Sequence, residues 1–136
     1  MKNILILVLL LSLSKSINSQ NRTQDSLYYL RINEVIKKNI KEGKFYENIQ
    51  IFKKELGDTK YSFIFKSKIY NDIASNFGMA GQIDSAMFYT NLALAISEKM
   101  RAKNPDYYNS LINKGNILYS KGNLAEALTV NLTIAD

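Results

Sequence analysis

The sequence has no histidine, no cysteine, no tryptophan and a single proline among its 136 residues. Without histidine and cysteine, the chain cannot form a Ser–His–Asp triad, a cysteine nucleophile, a disulfide or an ordinary zinc site. A histidine phosphoacceptor is excluded from this span for the same reason. The length suits one small domain, and an apolar fraction of 46% is sufficient for a packed core.

The remaining residue types show no arrangement that is typical of an active site. Acidic residues such as Glu42, Glu47 and Glu55 are scattered among lysines and indicate surface charge. The six glycines are dispersed, so no phosphate-binding loop is present. We therefore predict a span with no catalytic residues, no metal ligands and no cofactor. The protein is then not an enzyme, unless this span belongs to a longer kinase.

A lysine and a short apolar run open the chain. Lys2 precedes residues 4–13, which are Leu, Ile and Val except for Ser12, and small polar residues follow as far as Ser19. This is the layout of a secretory signal peptide, and the run is shorter than the ~20 residues that a membrane-spanning helix needs. We predict a signal peptide over residues 1–19, a linker over 20–26, and export to the periplasm or exterior of a Gram-negative bacterium. An uncleaved anchor is the alternative.

The net charge is positive. Lysine and arginine number 18 against 12 acidic residues, and the formal charge of +6 falls to +4 when Lys2 and Lys15 leave with the signal peptide. The basic residues between Arg31 and Lys68 are interleaved with apolar residues at helical spacing, which indicates solvated helix faces. The alternative, a basic RNA-binding helical repeat, requires that the chain is not exported. We predict no nucleic-acid partner.

Three glycines mark an internal repeat. Gly43, Gly81 and Gly122 lie 38 and 41 residues apart. Relative to the glycine, a large residue recurs 11 positions before it, a small residue 7 before, a large residue 4 before and an alanine 5 after. In the second and third repeats these are Tyr70 and Leu111, Ala74 and Gly115, Phe77 and Leu118, and Ala86 and Ala127. The spacing predicts two antiparallel helices joined at each glycine, and hence an all-α fold.

The small residues indicate where the helices cross. Two helices approach closely only where the facing side chains are short. We therefore predict that Ala74 faces Ala86 and that Gly115 faces Ala127.

The pattern resembles the tetratricopeptide repeat (TPR), and the second repeat matches it best, with Ala93 as a further match. The resemblance implies an α-solenoid of about two and a half to three stacked hairpins over residues 27–136, at about 27–56, 60–103 and 106–136, with the last incomplete. Because the spacings exceed the usual ~34 residues, we expect longer helices. Ile36 and Asn48 stand where the family has small residues, so a plain helical hairpin acting as an N-terminal cap is the alternative for the first repeat.

The resemblance also implies a function. The first helices of such hairpins line a concave surface that binds a peptide or a partner helix. The residues predicted to face that surface are Asn33, Lys37, Lys68, Asn71, Ser75, Asn109, Ile112 and Asn116. We predict a protein- or peptide-binding scaffold without a small-molecule cofactor. The alternative is that these positions are merely solvated.

The last helical pattern predicts an apolar side formed by Leu124, Leu128 and Ile134. Because terminal solenoid units usually present a polar outer face, we expect this chain to be part of a longer protein. The alternative function is the N-terminal periplasmic sensor region of a TPR-containing histidine kinase or transcriptional regulator. A membrane tether is expected only through sequence beyond Asp136.

Overall fold

The computed structural model describes residues 25–57, 62–99 and 105–135. These residues form six α-helices and no strand, which confirms the all-α prediction for this part of the chain. The helices are α1 (25–41), α2 (Phe45–Leu56), α3 (Phe63–Met79), α4 (Ile83–Ser97), α5 (Pro105–Ser120) and α6 (Leu124–Ala135). The predicted signal peptide and most of the predicted linker lie outside the described residues.

The three repeat glycines end α1, α3 and α5 with the same backbone geometry. Gly43, Gly81 and Gly122 have φ of +70°, +75° and +80°. In each turn the glycine N–H donates to the carbonyl three residues earlier, and the next N–H donates to the carbonyl four residues before the glycine. These are the two hydrogen bonds of a Schellman ending, whose left-handed residue is usually glycine because a Cβ would be strained there. The repeat in sequence is therefore a repeat in backbone structure.

The middle helices are long. Helices α3, α4 and α5 contain 17, 15 and 16 residues, as the wide glycine spacing predicts. Helix α4 ends at Ser97, and residues 98–99 form a tighter 3-10 turn. The end of the second predicted hairpin, residues 100–103, lies outside the described residues.

From α2 to α6, each helix packs against its neighbours in the chain, and α3 also packs against α5. Two apolar cores result. The first joins α1, α2 and α3 through Tyr28, Ile49, Phe52, Phe65, Ile69 and Ile73. The second joins α5 and α6 through Tyr107, Leu111, Leu118, Ala127 and Val130. Met87 and Leu94 of α4 pack against the second core, so α4 links the two halves.

The small repeat residues lie inside. Ala74, Ala86 and Ala93 are buried, as are Leu111, Gly115, Leu118 and Ala127, whereas Tyr70 and Phe77 are half-buried. One predicted pairing is corrected. The atoms nearest to the position of a Cβ at Gly115 belong to Asn131, whose Oδ1 would be 2.7 Å away, and to Val130, rather than to Ala127. Helix α6 therefore meets Gly115 about one turn later than the sequence predicted.

The prediction for the outer side of α6 is also corrected. Leu124 and Leu128 are exposed there, as predicted, but Ile134 packs against the second core. Leu132 is exposed in its place. This follows from helical geometry, because Leu124, Leu128 and Leu132 are four residues apart and share one face, while Ile134 lies on the side of Ala127 and Val130.

Candidate functional site

Two adjoining cavities lie between α3 and α5, and six of the eight predicted binding residues line them. The first cavity, of about 190 Å³, is predominantly polar. The residues around it are Lys68, Asn71, Asp72, Ser75, Asp106, Asn109, Ile112 and Asn113. The second cavity, of about 240 Å³, has an apolar part formed by Met79, Ile83 and Ile117. The other residues around it are Ala74, Ser75, Gly78, Asn113, Asn116 and Ser120.

Ser75 and Asn113 belong to both cavities, so the two form one continuous surface, which we call the α3–α5 groove. The exposed part of α5 contributes Asn109, Ile112 and Asn116. These residues are three and four apart, so they lie on one face of the helix. The groove thus offers two amide side chains with an apolar side chain between them.

Asn71 has a different position from the one predicted. It is buried, with 6% of its surface exposed, and its amide nitrogen donates to the carbonyl oxygen of Asp106 at 3.2 Å and to Oγ of Ser110 at 2.9 Å. A buried amide is stable only when it is hydrogen-bonded, and these bonds join α3 to α5. Asn71 therefore forms the floor of the groove and has no free donor for a peptide.

Asn113 is a groove residue that the sequence pattern did not predict. Its amide nitrogen lies 3.3 Å from Oδ1 and 3.4 Å from the backbone oxygen of Asn71, and its Oδ1 accepts a hydrogen bond from Ser75 at 3.5 Å. Asn113 lies between Ile112 and Asn116 in α5, four residues after Asn109, and that spacing was the signal in the sequence. The hydrogen bonds of Asn113 therefore hold α5 against α3 along the groove.

Lys68 and Asp72 form the polar end of the groove with Tyr29 of α1. The hydroxyl of Tyr29 donates to Oδ2 of Asp72 at 2.5 Å, and Nζ of Lys68 lies 4.3 Å from the centre of the Tyr29 ring. This distance is typical of a cation–π contact, which restrains the ammonium group. Tyr29 thus fixes a cation and an anion side by side.

Burial raises the pKa of the Asp72 carboxyl above its ordinary value. The hydrogen bond from Tyr29 and the positive charge of Lys68 oppose this shift, and the negative charge of Asp106 adds to it. Burial also raises the pKa of Tyr29, and the charge of Asp72 raises it further, so Tyr29 remains a neutral hydrogen-bond donor. Asp72 is a further residue of the groove that the sequence pattern did not predict.

Asn33 and Lys37 do not join the other predicted residues. Both are exposed on α1, and neither lines the α3–α5 groove. Nζ of Lys37 makes an exposed ion pair with Glu34 at 3.2 Å. The predicted set therefore divides into six residues at the groove and two on a separate helix surface.

The groove carries little net charge, since the charged side chains that line it are one lysine, Lys68, and two aspartates, Asp72 and Asp106. Its remaining polar groups are amides and hydroxyls, which both donate and accept hydrogen bonds. In the described residues, no three His, Cys, Asp or Glu side chains are grouped so that they could hold a metal ion. Chemically, the groove can bind main-chain amides and an apolar side chain.

No helix within residues 25–57, 62–99 and 105–135 is long and apolar enough to cross a membrane. No protein-family model matches the chain, and neither a curated protein nor a solved structure matches it.

Proposed function

We propose that this chain is an exported, non-catalytic module of the TPR type that binds an extended peptide in the α3–α5 groove. The observation that carries the proposal is the pair of adjoining cavities, around which six of the eight predicted binding residues lie. Further support comes from the three Schellman turns, whose regular recurrence is the pattern on which the TPR resemblance depends.

The chemistry of the groove defines the proposed peptide. Asn109 and Asn116 are exposed and contribute carboxamides that can pair with the N–H and C=O groups of an extended main chain. Met79, Ile83 and Ile117 provide an apolar cavity for one large aliphatic or aromatic side chain. Since the groove is close to neutral, the proposed peptide is uncharged where it crosses α5.

A displayed library of random peptides, selected on the purified protein, tests the proposal. Binding of the selected peptides is then measured by fluorescence anisotropy with the double variant Asn109→Ala/Asn116→Ala. Each lost hydrogen bond contributes about 0.5–1.5 kcal/mol, so we expect the double variant to bind more weakly by about 1–3 kcal/mol, which is about five- to 150-fold. Asn33→Ala, an exposed asparagine on α1, is the matched control and is expected to bind as the wild type does.

Two outcomes contradict the proposal. One is that no selected peptide distinguishes the double variant from the Asn33→Ala control. The other is an affinity that is set by salt concentration and falls by orders of magnitude between 50 and 500 mM NaCl. Such a dependence is typical of binding to a polyanion. Peptide binding in a near-neutral groove is expected to change little over this range.

A further inference from the structure

The polar cavity of the α3–α5 groove contains more negative than positive charge. Its charged side chains are the carboxyl groups of Asp72 and Asp106 and the ammonium group of Lys68. Asp106 is buried in the first turn of α5, with 8% of its surface exposed, and Asp72 is half-buried on α3. No charged residue is among the described residues that line the second cavity. An excess of one carboxyl group therefore lies at one end of a groove that is otherwise uncharged.

Lys68 compensates this negative charge only in part. Its Nζ lies 4.3 Å from the centre of the Tyr29 ring, so the ring contacts one side of the ammonium group. The hydroxyl of Tyr29 donates to Oδ2 of Asp72, whereas Oδ1 accepts no hydrogen bond from the residues that the structure describes. Burial, together with the charge of Asp106, raises the pKa of Asp72 in spite of Tyr29 and Lys68. A further cation beside Asp72 would therefore stabilise its charged form.

The walls of the polar cavity indicate which kind of cation fits. They carry amide and hydroxyl groups, such as those of Asn109, Asn113 and Ser75, and Ile112 is the one apolar residue among the described residues that line the cavity. A lysine side chain packs its long alkyl stem on apolar surface, which this cavity scarcely offers. The α-ammonium group of a peptide is instead followed directly by a main-chain carbonyl and amide, which carboxamide side chains can bind.

The size of the cavity favours the same group. Its volume of about 190 Å³ is below the ~300 Å³ at which ordinary small-molecule pockets begin. A cavity of this size suits one terminal residue of a peptide whose remaining residues lie along the groove.

We propose that the polar cavity binds the amino terminus of the peptide, with the α-ammonium group beside the carboxylates of Asp72 and Asp106. This inference rests on the proposed binding of a peptide in the α3–α5 groove, and it gives that peptide a direction. The first residue lies in the polar cavity, and the chain then passes Asn109 and Asn116 towards the apolar cavity. The ammonium group neutralises the excess carboxylate, so the rest of the peptide remains uncharged.

Acetylation of the peptide tests the proposal on the unaltered protein. A peptide is selected from a displayed library whose members have free amino termini, and it is synthesised with a free and with an acetylated terminus, each form labelled at its carboxyl end. Hydrogen bonds to charged groups are stronger than those between neutral groups, so we expect the acetylated form to bind about 10- to 100-fold more weakly in fluorescence anisotropy. Equal affinities of the two forms overturn the proposal.

Asp72→Asn tests the carboxylate, because it keeps an oxygen that can accept from Tyr29 but removes the charge. We expect this variant to bind the free peptide about tenfold more weakly than the wild type does and the acetylated peptide equally well. The matched control is Asp84→Asn, which removes the same charge from a side chain of α4 that is 92% exposed and lies outside the groove. It is expected to bind both peptides as the wild type does. An equal loss for both peptides in Asp72→Asn would reflect a structural role and overturns the proposal.

Two further outcomes separate this inference from the proposed function. If the affinity falls when a lysine of the peptide is replaced by norleucine, but not when the terminus is acetylated, the ammonium group that binds is a side chain and the proposal is overturned. If binding depends on Asn109 and Asn116 but not on a free terminus, the proposed function stands and this inference alone is overturned. If no selected peptide depends on Asn109 and Asn116, both are overturned.

Discussion

The side-chain amide of Asn48 on α2 donates a hydrogen bond to Oδ1 of Asn76 on α3 at 3.0 Å, and both residues are buried. Oδ1 of Asn48 in turn accepts from Asn39 of α1 at 2.8 Å, and the amide of Asn76 donates to the backbone oxygen of Asp72 at 2.8 Å. A buried amide without partners is costly, so this chain of bonds fixes how the first hairpin lies on α3. The large polar residue that departs from the TPR pattern in the first repeat therefore has a structural role.

Removal of the central amide is expected to destabilise the fold. Asn48→Ala leaves Asn39 without its acceptor and Asn76 without its donor in the interior, and we expect a loss of about 1–3 kcal/mol in the free energy of unfolding. Urea denaturation followed by circular dichroism measures this. Asn33→Ala, an exposed asparagine on α1, is the control and is expected to change stability by less than about 0.5 kcal/mol. Equal stability of the two variants contradicts the assigned role of Asn48.

The repeat glycines are expected to be required because of their positive φ, and not because a side chain would lack space there. A Cβ at Gly81 would meet no atom within 4 Å, but φ of +75° is strained for alanine. We expect Gly81→Ala to lower the free energy of unfolding by about 1 kcal/mol. Gly57 also has no atom within 4 Å but has φ of −77°. Gly57→Ala is therefore expected to be neutral or stabilising by about 0.5 kcal/mol, and a thermal melt that ranks the two variants the other way contradicts this explanation.

Asp72 is expected to make stability depend on pH. Because burial raises its pKa in the folded state, the contribution of Asp72 to stability is fully present below the pKa of the unfolded chain and is lost as the pH rises through the folded pKa. Asp72→Asn keeps an oxygen that can accept from Tyr29 but has no charge. We therefore expect the stability of Asp72→Asn relative to the wild type to increase between pH 3.5 and pH 7, as measured by urea denaturation at each pH.

The exposed carboxyl groups do not disturb this comparison. The pKa of Asp84 is lowered by its hydrogen bond to Lys121, and that of Glu42 is lowered by its hydrogen bond to Lys44. Asp84 and Glu42 change the pH dependence of stability in the opposite sense to Asp72. Because both residues are present in the wild type and in Asp72→Asn, their effects cancel in the difference in stability between the two proteins. A relative stability that decreases with rising pH would mean that Tyr29 and Lys68 stabilise the carboxylate more than burial opposes it.

The buried site of Ala86 is expected to tolerate no larger side chain. Ala86 is completely buried in α4, so Ala86→Leu forces extra atoms into a packed site and is expected to lower the free energy of unfolding by about 1–3 kcal/mol. The same change at an exposed position of α6, Ala125→Leu, is the control and is expected to alter stability by less than about 0.5 kcal/mol. Thermal melts that show equal losses for both variants would mean that the site at Ala86 is not tightly packed.

The sequence predicted part of the groove and missed the contacts that build it. Helical spacing was enough to identify Ser75, Asn109 and Asn116, because residues at equal distances from equivalent glycines share a face. The same spacing could not show that Asn71 is covered by α5 or that Asn113 pairs with it. Those contacts join residues about 40 positions apart, and they depend on how two helices lie against each other.

The sequence by itself determined the all-α character of the described chain and the three glycine turns, because hydrophobic periodicity and the left-handed preference of glycine act over a few neighbouring residues. Only the tertiary structure decided which polar groups lie inside. The amide chain through Asn48 and Asn76, the Tyr29–Asp72 hydrogen bond and the contact of Asn131 with Gly115 each depend on the rotation and offset of one helix against another. That arrangement is set by the packing of many side chains at once, and no local pattern encodes it.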